Sequence, residues 1–127
     1  MDIKVHKGEG KLQHFIDIGQ HRLLTDESPQ VGGEDTGPSP HELLAASLGA
    51  CTALTLTLYA RRKEWPLEDV QVRIEHAHEG AAFILKRHIH YVGALDAEQR
   101  ARLTEIANKC PIHKVLSGEI RITTQEE

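Results

Sequence analysis

Apolar and polar residues alternate in three short runs at the start of the chain. Residues 2–7, 12–18 and 21–25 carry Ile, Val, Leu or Phe at alternate positions, with glycines at 8, 10 and 19. A period of two puts alternate side chains on one face of an extended strand, so these runs predict three strands joined by tight turns. Residues 26–38, Asp-Glu-Ser-Pro-Gln-Val-Gly-Gly-Glu-Asp-Thr-Gly-Pro, break the pattern and read as a loop. It is long for so small a domain, and long loops often cover sites. Ser39-Pro40-His41-Glu42 then supplies an N-cap, a Pro at the first helical position and a Glu at the third. The helix it opens is predicted to run to about Arg62, and Pro66 bars its continuation. Val70-Gln71-Val72-Arg73-Ile74 alternates strictly, and 83–92 holds a further strand with Phe83, Leu85, Ile89 and Tyr91. Glu79-Gly80-Ala81 between them predicts an antiparallel hairpin. Asp96 caps a second helix from Ala97 to about Lys109, with Leu103, Ile106 and Ala107 as its inner stripe. A helical piece at 112–117 and a last strand, Ile120-Arg121-Ile122-Thr123, complete the chain. The order β-β-β-α-β-β-α-α-β predicts an α+β fold with antiparallel sheets packed on a long central helix, in one domain spanning 1–127.

That central helix needs a second reading. Residues 43–60 carry no charge, and eighteen uncharged residues just reach the length of a membrane span. Many are Ala, Ser, Thr or Gly, and a polar cap and the Arg61-Arg62-Lys63 cluster bracket them closely. A helix apolar all round is equally the buried centre of a soluble domain. With no second hydrophobic span in the chain, the buried reading is the one expected, and no membrane partner.

Composition narrows the function classes. A chain of 127 residues is long enough to build a core without covalent staples. Hydrophobic residues make up 39% and charged residues 27%, which is ordinary for a folded soluble protein. The formal charge of −4 and the absence of a basic stripe interleaved with aromatics give no reason to expect nucleic acid. The start, Met1-Asp2-Ile3-Lys4-Val5-His6, lacks the apolar run of a signal peptide, so a cytoplasmic location is expected. A permanent disulfide is unusual there.

The candidate chemistry lies in two thiols, Cys51 inside the uncharged helix and Cys110 in Asn-Lys-Cys-Pro-Ile-His-Lys at 108–114. Such a pair is a disulfide, a metal site, a redox couple or inert core. A lone Cys in an apolar helix is usually a small hydrophobe, and Cys110 before Pro111 simply ends a helix in the plainest reading. Nine histidines raise a metal hypothesis, since His76/His78 and His88/His90 each share one face of a strand. A register pairing 76 with 88 would gather imidazoles fit for zinc or copper. The flanking Glu75, Glu79, Lys86 and Arg87 favour a solvated, charged hairpin instead, and no Cys-x-x-Cys exists, so no metal and no bound cofactor are expected.

Two blocks of the sequence carry a resemblance. Residues 37–52, Gly-Pro-Ser-Pro-His-Glu-Leu-Leu-Ala-Ala-Ser-Leu-Gly-Ala-Cys-Thr, resemble the central-helix signature of the OsmC/Ohr superfamily (osmotically inducible and organic hydroperoxide resistance proteins). Cys110-Pro111-Ile112-His113-Lys114-Val115-Leu116 is similar to its second signature, a Cys-Pro-x-His block. Element order and the spacing between the blocks also fit, so the resemblance covers the whole chain, on the OsmC-like branch. It implies a swapped, intimate homodimer with two sites at the interface. It also implies thiol-based reduction of organic hydroperoxides, with Cys51 peroxidatic, Cys110 resolving, and an external dithiol, lipoyl-type by family precedent, as reductant.

Chemistry sets its own demands on that reading. The attacking group must be a thiolate; its sulfenic acid product condenses with a second thiol, and an external dithiol restores the pair. Cys51 lies far inside its helix, where the N-terminal dipole has faded, so a cation is needed nearby. Arg22 is the only arginine in the first sixty residues. The resemblance implies an N-terminal arginine over the cysteine, which makes Arg22 the candidate. In the peroxide-reducing branches a Glu directly after the helix-opening Pro holds that arginine, whereas here the position is His41 and Glu42 comes one later. Nine residues separate Glu42 from Cys51, a rotation of about 900° and a rise of about 13.5 Å, so they cannot touch along one straight helix. Glu42 would orient Arg22 only through a bridge or across an interface, and its capping bond to Ser39 is the plainer role. The expected function is a Cys51/Cys110 peroxidase acting on a small hydrophobic hydroperoxide. The rival is a non-catalytic OsmC-like module that holds a small hydrophobic ligand at the dimer interface.

Overall fold

The computed structural model describes residues 2–127. Its elements are β1 (Ile3–Lys7), β2 (His14–Ile18), β3 (His21–Thr25), a 3₁₀ turn (Pro29–Val31), α1 (Pro40–Lys63), β4 (Leu67–Glu79), β5 (Ala82–Gly93), α2 (Ala97–Ala107) and α3 (Pro111–Ser117). They fall into two compact units, Met1–Leu44 and Ala45–Glu127. The fold is α+β with antiparallel sheets, as the alternation predicts.

In the first unit β1, β2 and β3 form a meander. Its register aligns Val5, Ile16 and Leu23, and one step away Lys4, Asp17 and Arg22. Directly opposed residues share a face, so Val5, Ile16 and Leu23 lie on one side of the sheet and Lys4, Asp17 and Arg22 on the other. The predicted loop at 26–38 is ordered around Asp26, whose buried carboxylate accepts from the amides of Glu27, Glu34 and Thr36 and from the Thr36 hydroxyl. The helix start is as read: Ser39 and Glu42 exchange side-chain-to-amide hydrogen bonds of 2.9 and 3.3 Å.

In the second unit β4 and β5 pair along their whole length, from Glu79↔Ala82 back to Leu67↔Gly93. Gly80 supplies the positive φ that a two-residue hairpin turn demands at its first central position. One face of the hairpin carries Val70, Val72, Ile74, Leu85, Ile89 and Tyr91, and Val70, Val72, Ile89 and Tyr91 join a core with Leu56 and Ala60 of α1 and Leu103 and Ala107 of α2. Along α1 the buried positions are Ala45, Leu48, Thr52, Leu56 and Ala60, spaced three or four apart as one stripe. The helix ends where Glu64 takes φ +55°, with Trp65 donating to Ala60 and Glu64 to Arg61, the crossed bonds of a Schellman motif.

Three expectations change. The helix expected to be buried all round is buried on one stripe only: Leu54 is 66% and Leu58 51% exposed. By length and composition alone it would also be long and apolar enough to cross a membrane. Residues 120–123 form no strand, because no ladder partner meets them among the described residues, and Ile120 and Ile122 lie exposed. The hairpin register opposes His76 to Leu85 and His88 to Arg73, not 76 to 88, which puts the two histidine pairs on opposite faces.

Candidate active site

Cys51 and Thr52 are neighbours on α1, and Cys110 is the N-cap of α3. Pro111 fixes the first helical φ and leaves the next two amides of α3 pointing back at sulfur. Ile112 donates to Cys51 Sγ at 3.5 Å, and His113 donates to Cys110 Sγ at 3.4 Å. Consecutive N–H groups of one turn thus hold the two thiols, one each. Both thiols are free; Cys51 is half-buried and Cys110 sealed from solvent.

The cation of this cluster is Arg87. Its Nη1 donates to Thr52 Oγ1 at 3.0 Å and reaches Cys110 Sγ at 4.0 Å, while Nη2 donates to Asn108 Oδ1 at 2.9 Å and to His113 Nδ1 at 3.0 Å. The last bond requires a neutral imidazole with its proton on Nε2. Thr52 donates its own proton to the Leu48 carbonyl at 2.7 Å, so its oxygen is oriented to accept from Arg87. Reading Arg87 as part of a solvated hairpin missed its column: Phe83, Leu85, Arg87, Ile89 and Tyr91 alternate on one half-buried face of β5. A lone cation inside an apolar column was the signal.

Burial pushes the Cys110 thiol up, yet the His113 amide, the Cys51 thiol, Thr52 and the Arg87 guanidinium together outweigh it and hold Cys110 below the ordinary thiol range. Cys51 and Cys110 lie near each other, their sulfurs seated on consecutive amides of one turn. Cys51 has a further neighbour in Thr55 Oγ1 at 3.9 Å.

The other candidates belong to the first unit. Arg22 grips Asp17 through Nε at 2.7 Å and Nη2 at 3.1 Å, and its guanidinium stacks on Phe15. Hydrogen bonds from Arg22 and then His6 hold the Asp17 carboxyl down to about 2. Glu42 is engaged with Ser39 in the capping box. On the hairpin, His88 Nε2 lies 3.3 Å from Glu75 Oε2 and His78 packs on Phe83. Among the described residues no group of three His, Cys, Asp or Glu side chains converges as a metal site would.

Comparison with known proteins follows from this geometry. The family model for OsmC-like protein matches residues 32–125. Comparison with curated proteins gives no match. Among solved structures, an osmotic stress induced and detoxification response protein of Psychrobacter arcticus superposes with a TM-score of 0.77 at 22% identity, over 89% of this chain and 85% of that one. An organic hydroperoxide resistance protein OsmC of Legionella pneumophila gives 0.68 at 25% identity, over 92% and 88%. An organic hydroperoxide resistance protein of Vibrio cholerae, solved with captopril in one of its active sites, gives 0.64 at 21% identity, over 93% and 85%. With most of its length matched by the family model and the same fold in these structures, the chain belongs to the OsmC-like family.

Proposed function

We propose that this protein is a thiol-dependent peroxidase that reduces organic hydroperoxides, acting as a cytoplasmic homodimer without metal or cofactor. The observation that carries the reading is two free thiols seated on consecutive amides of one turn, one half-buried and one sealed beside an arginine. Cys51, the more accessible sulfur, attacks the terminal peroxide oxygen; the O–O bond breaks, the alcohol leaves, and Cys51 becomes a sulfenic acid. Cys110 then displaces hydroxide from that sulfur, closing a disulfide and releasing water after protonation. A small dithiol, lipoyl-type by family precedent, reopens the bond by exchange and is itself oxidised. Closure needs the two Cα atoms within about 4.4–6.8 Å, which the seats of both sulfurs on consecutive amides of one turn favour.

One molar equivalent of an organic hydroperoxide is expected to convert the reduced protein into an intramolecular disulfide, read by mass spectrometry and thiol counting. Cys51→Ser should abolish peroxide consumption; consumption at the unsubstituted rate would end the peroxidase reading. Arg22 and Glu42 enter this proposal through the family resemblance, and Arg22→Ala decides their part. A raised Cys51 titration in that variant assigns Arg22 a role, and an unchanged one removes both residues from the site.

A further inference from the structure

We infer that Arg87 is the positioning residue of the thiol pair: its guanidinium clamps the turn bearing Cys110 to the part of α1 that bears Cys51, and so sets how readily their disulfide closes. The inference deepens the peroxidase reading and rests on its pairing of the two thiols. The kind of bond Arg87 makes is the first argument. Arg22, Arg73, Arg102 and Arg121 each pair with a carboxylate. The polar partners of Arg87 among the described residues are Thr52, Asn108, His113 and the Cys110 sulfur, and none is a carboxylate. A half-buried arginine that spreads its N–H groups over several elements in this way acts through the fixed fork of its donors, not through an ion pair.

Where those partners lie is the second argument. Asn108 and His113 bracket Cys110, the first at the end of α2 and the second in the first turn of α3, and Arg87 Nη2 holds both, at 2.9 and 3.0 Å. From the same guanidinium, Nη1 holds Thr52, the residue next to Cys51 on α1, at 3.0 Å. Thr52 is fully buried and gives its own proton to the Leu48 carbonyl at 2.7 Å, so this anchor cannot swing. The turn itself reaches Cys51 through the Ile112 amide at 3.5 Å, which is long for a hydrogen bond. One rigid plane therefore fixes both ends of the Cys110 turn to the neighbour of the other thiol.

The consequence is thermodynamic. Closing a disulfide within a mobile turn must also order that turn, whereas here the turn is already ordered in the dithiol. A clamp of this kind raises the effective concentration of one thiol at the other and makes the disulfide harder to reduce. In the closure itself an S–S bond forms, each thiol gives up one proton and one electron, and an oxidised external dithiol takes up both pairs and is reduced. A plain charge would act in the opposite sense. A cation that only stabilised a thiolate would favour the reduced form, and its removal would make the disulfide harder to reduce. Loss of the clamp makes it easier to reduce, so the sign of the change separates the two roles.

The test is the thiol–disulfide equilibrium of the full chain in mixtures of reduced and oxidised dithiothreitol at one neutral pH, read by thiol counting and mass spectrometry. Arg87→Lys keeps the charge and loses the planar fork. It is expected to lower the effective concentration about tenfold, the size of one or two net hydrogen bonds, which raises the reduction potential by about 30 mV. Arg87→Met, which removes charge and fork together, should also move the potential upward. Asn108 is exposed, so Asn108→Ala cuts one tether with little risk to the fold and should move it the same way by less. A potential that stays put or falls in Arg87→Lys overturns the inference, and Asn108→Ala decides the point by the same rule if the arginine variants do not fold. A role in stability alone would lower the melting temperature and leave the potential where it was. Peroxide consumption is scored separately. A potential that follows Arg87 in a protein that consumes no peroxide sinks the peroxidase reading alone, and turnover with a potential indifferent to Arg87 sinks the clamp alone.

Discussion

Asp26 is almost sealed from solvent, yet no cation pairs with it among the contacts described; three amides and one hydroxyl do the work. The Thr36 hydroxyl and amide, followed by the Glu27 amide, hold its carboxyl down to about 2. A folded-state pKa below the unfolded one stabilises the fold above the unfolded value and loses that contribution as pH falls through the folded one. Asp26→Asn is therefore expected to melt several degrees below the unsubstituted protein at neutral pH. The gap should close as pH drops from about 4 toward 2, in thermal melts taken across that range. A gap of constant size would mean the carboxylate charge is irrelevant to the loop. The same residue-by-residue logic governs the thiols. Their identity is legible in the sequence, because Cys-Pro-Ile-His announces a helix start whose amides must find acceptors. The acceptors it finds, two sulfurs on different elements, depend on tertiary placement and are not.

At the level of elements, α1 ends on a residue that does not suit its conformation. Glu64 occupies the left-handed C′ position of the Schellman motif, where a side chain costs about 1–2 kcal/mol that glycine avoids. Glu64→Gly is expected to stabilise the protein by about 1 kcal/mol in denaturant titration, with the thiol chemistry unchanged. A destabilised variant would show that the Glu64 side chain makes a compensating contact. In the strands, period-two alternation located all five strands because it reports directly which side chains face the core. It also located a sixth at 120–123 that does not form, since alternation states which residues favour burial without supplying an edge to pair with. Arg87 was legible by the same rule and passed over: its charge drew attention from its position between Leu85 and Ile89 in the inward column. Arg22, the cation expected from the N-terminal strands, makes a bidentate pair with Asp17, its directly opposed neighbour in the first sheet.

Across the whole molecule, large apolar side chains remain uncovered in both units. Ile3, Val5 and Leu23 share one face of the first sheet and are exposed, and Leu54 and Leu58 project from α1 away from its buried stripe. Scattered apolar residues are normal on a monomer, but contiguous rows on one sheet face and one helix face mark association surfaces. The homodimer proposed above is the occupant that family precedent supplies, and it would remove these rows from water. A stable dimer needs roughly 800 Å² covered on each partner. Light scattering on the reduced protein is expected to return twice the chain mass. Because Leu54 and Leu58 are exposed in the single chain, Leu54→Glu with Leu58→Glu should leave the circular dichroism signature intact while shifting the mass toward that of one chain. All the groups that set the Cys110 titration lie in Ala45–Glu127, so the thiolate midpoint should survive dissociation. A monomeric unsubstituted protein would dispose of the homodimer. A dimer whose thiolate is lost on dissociation would instead assign the missing stabilising charge to the second copy.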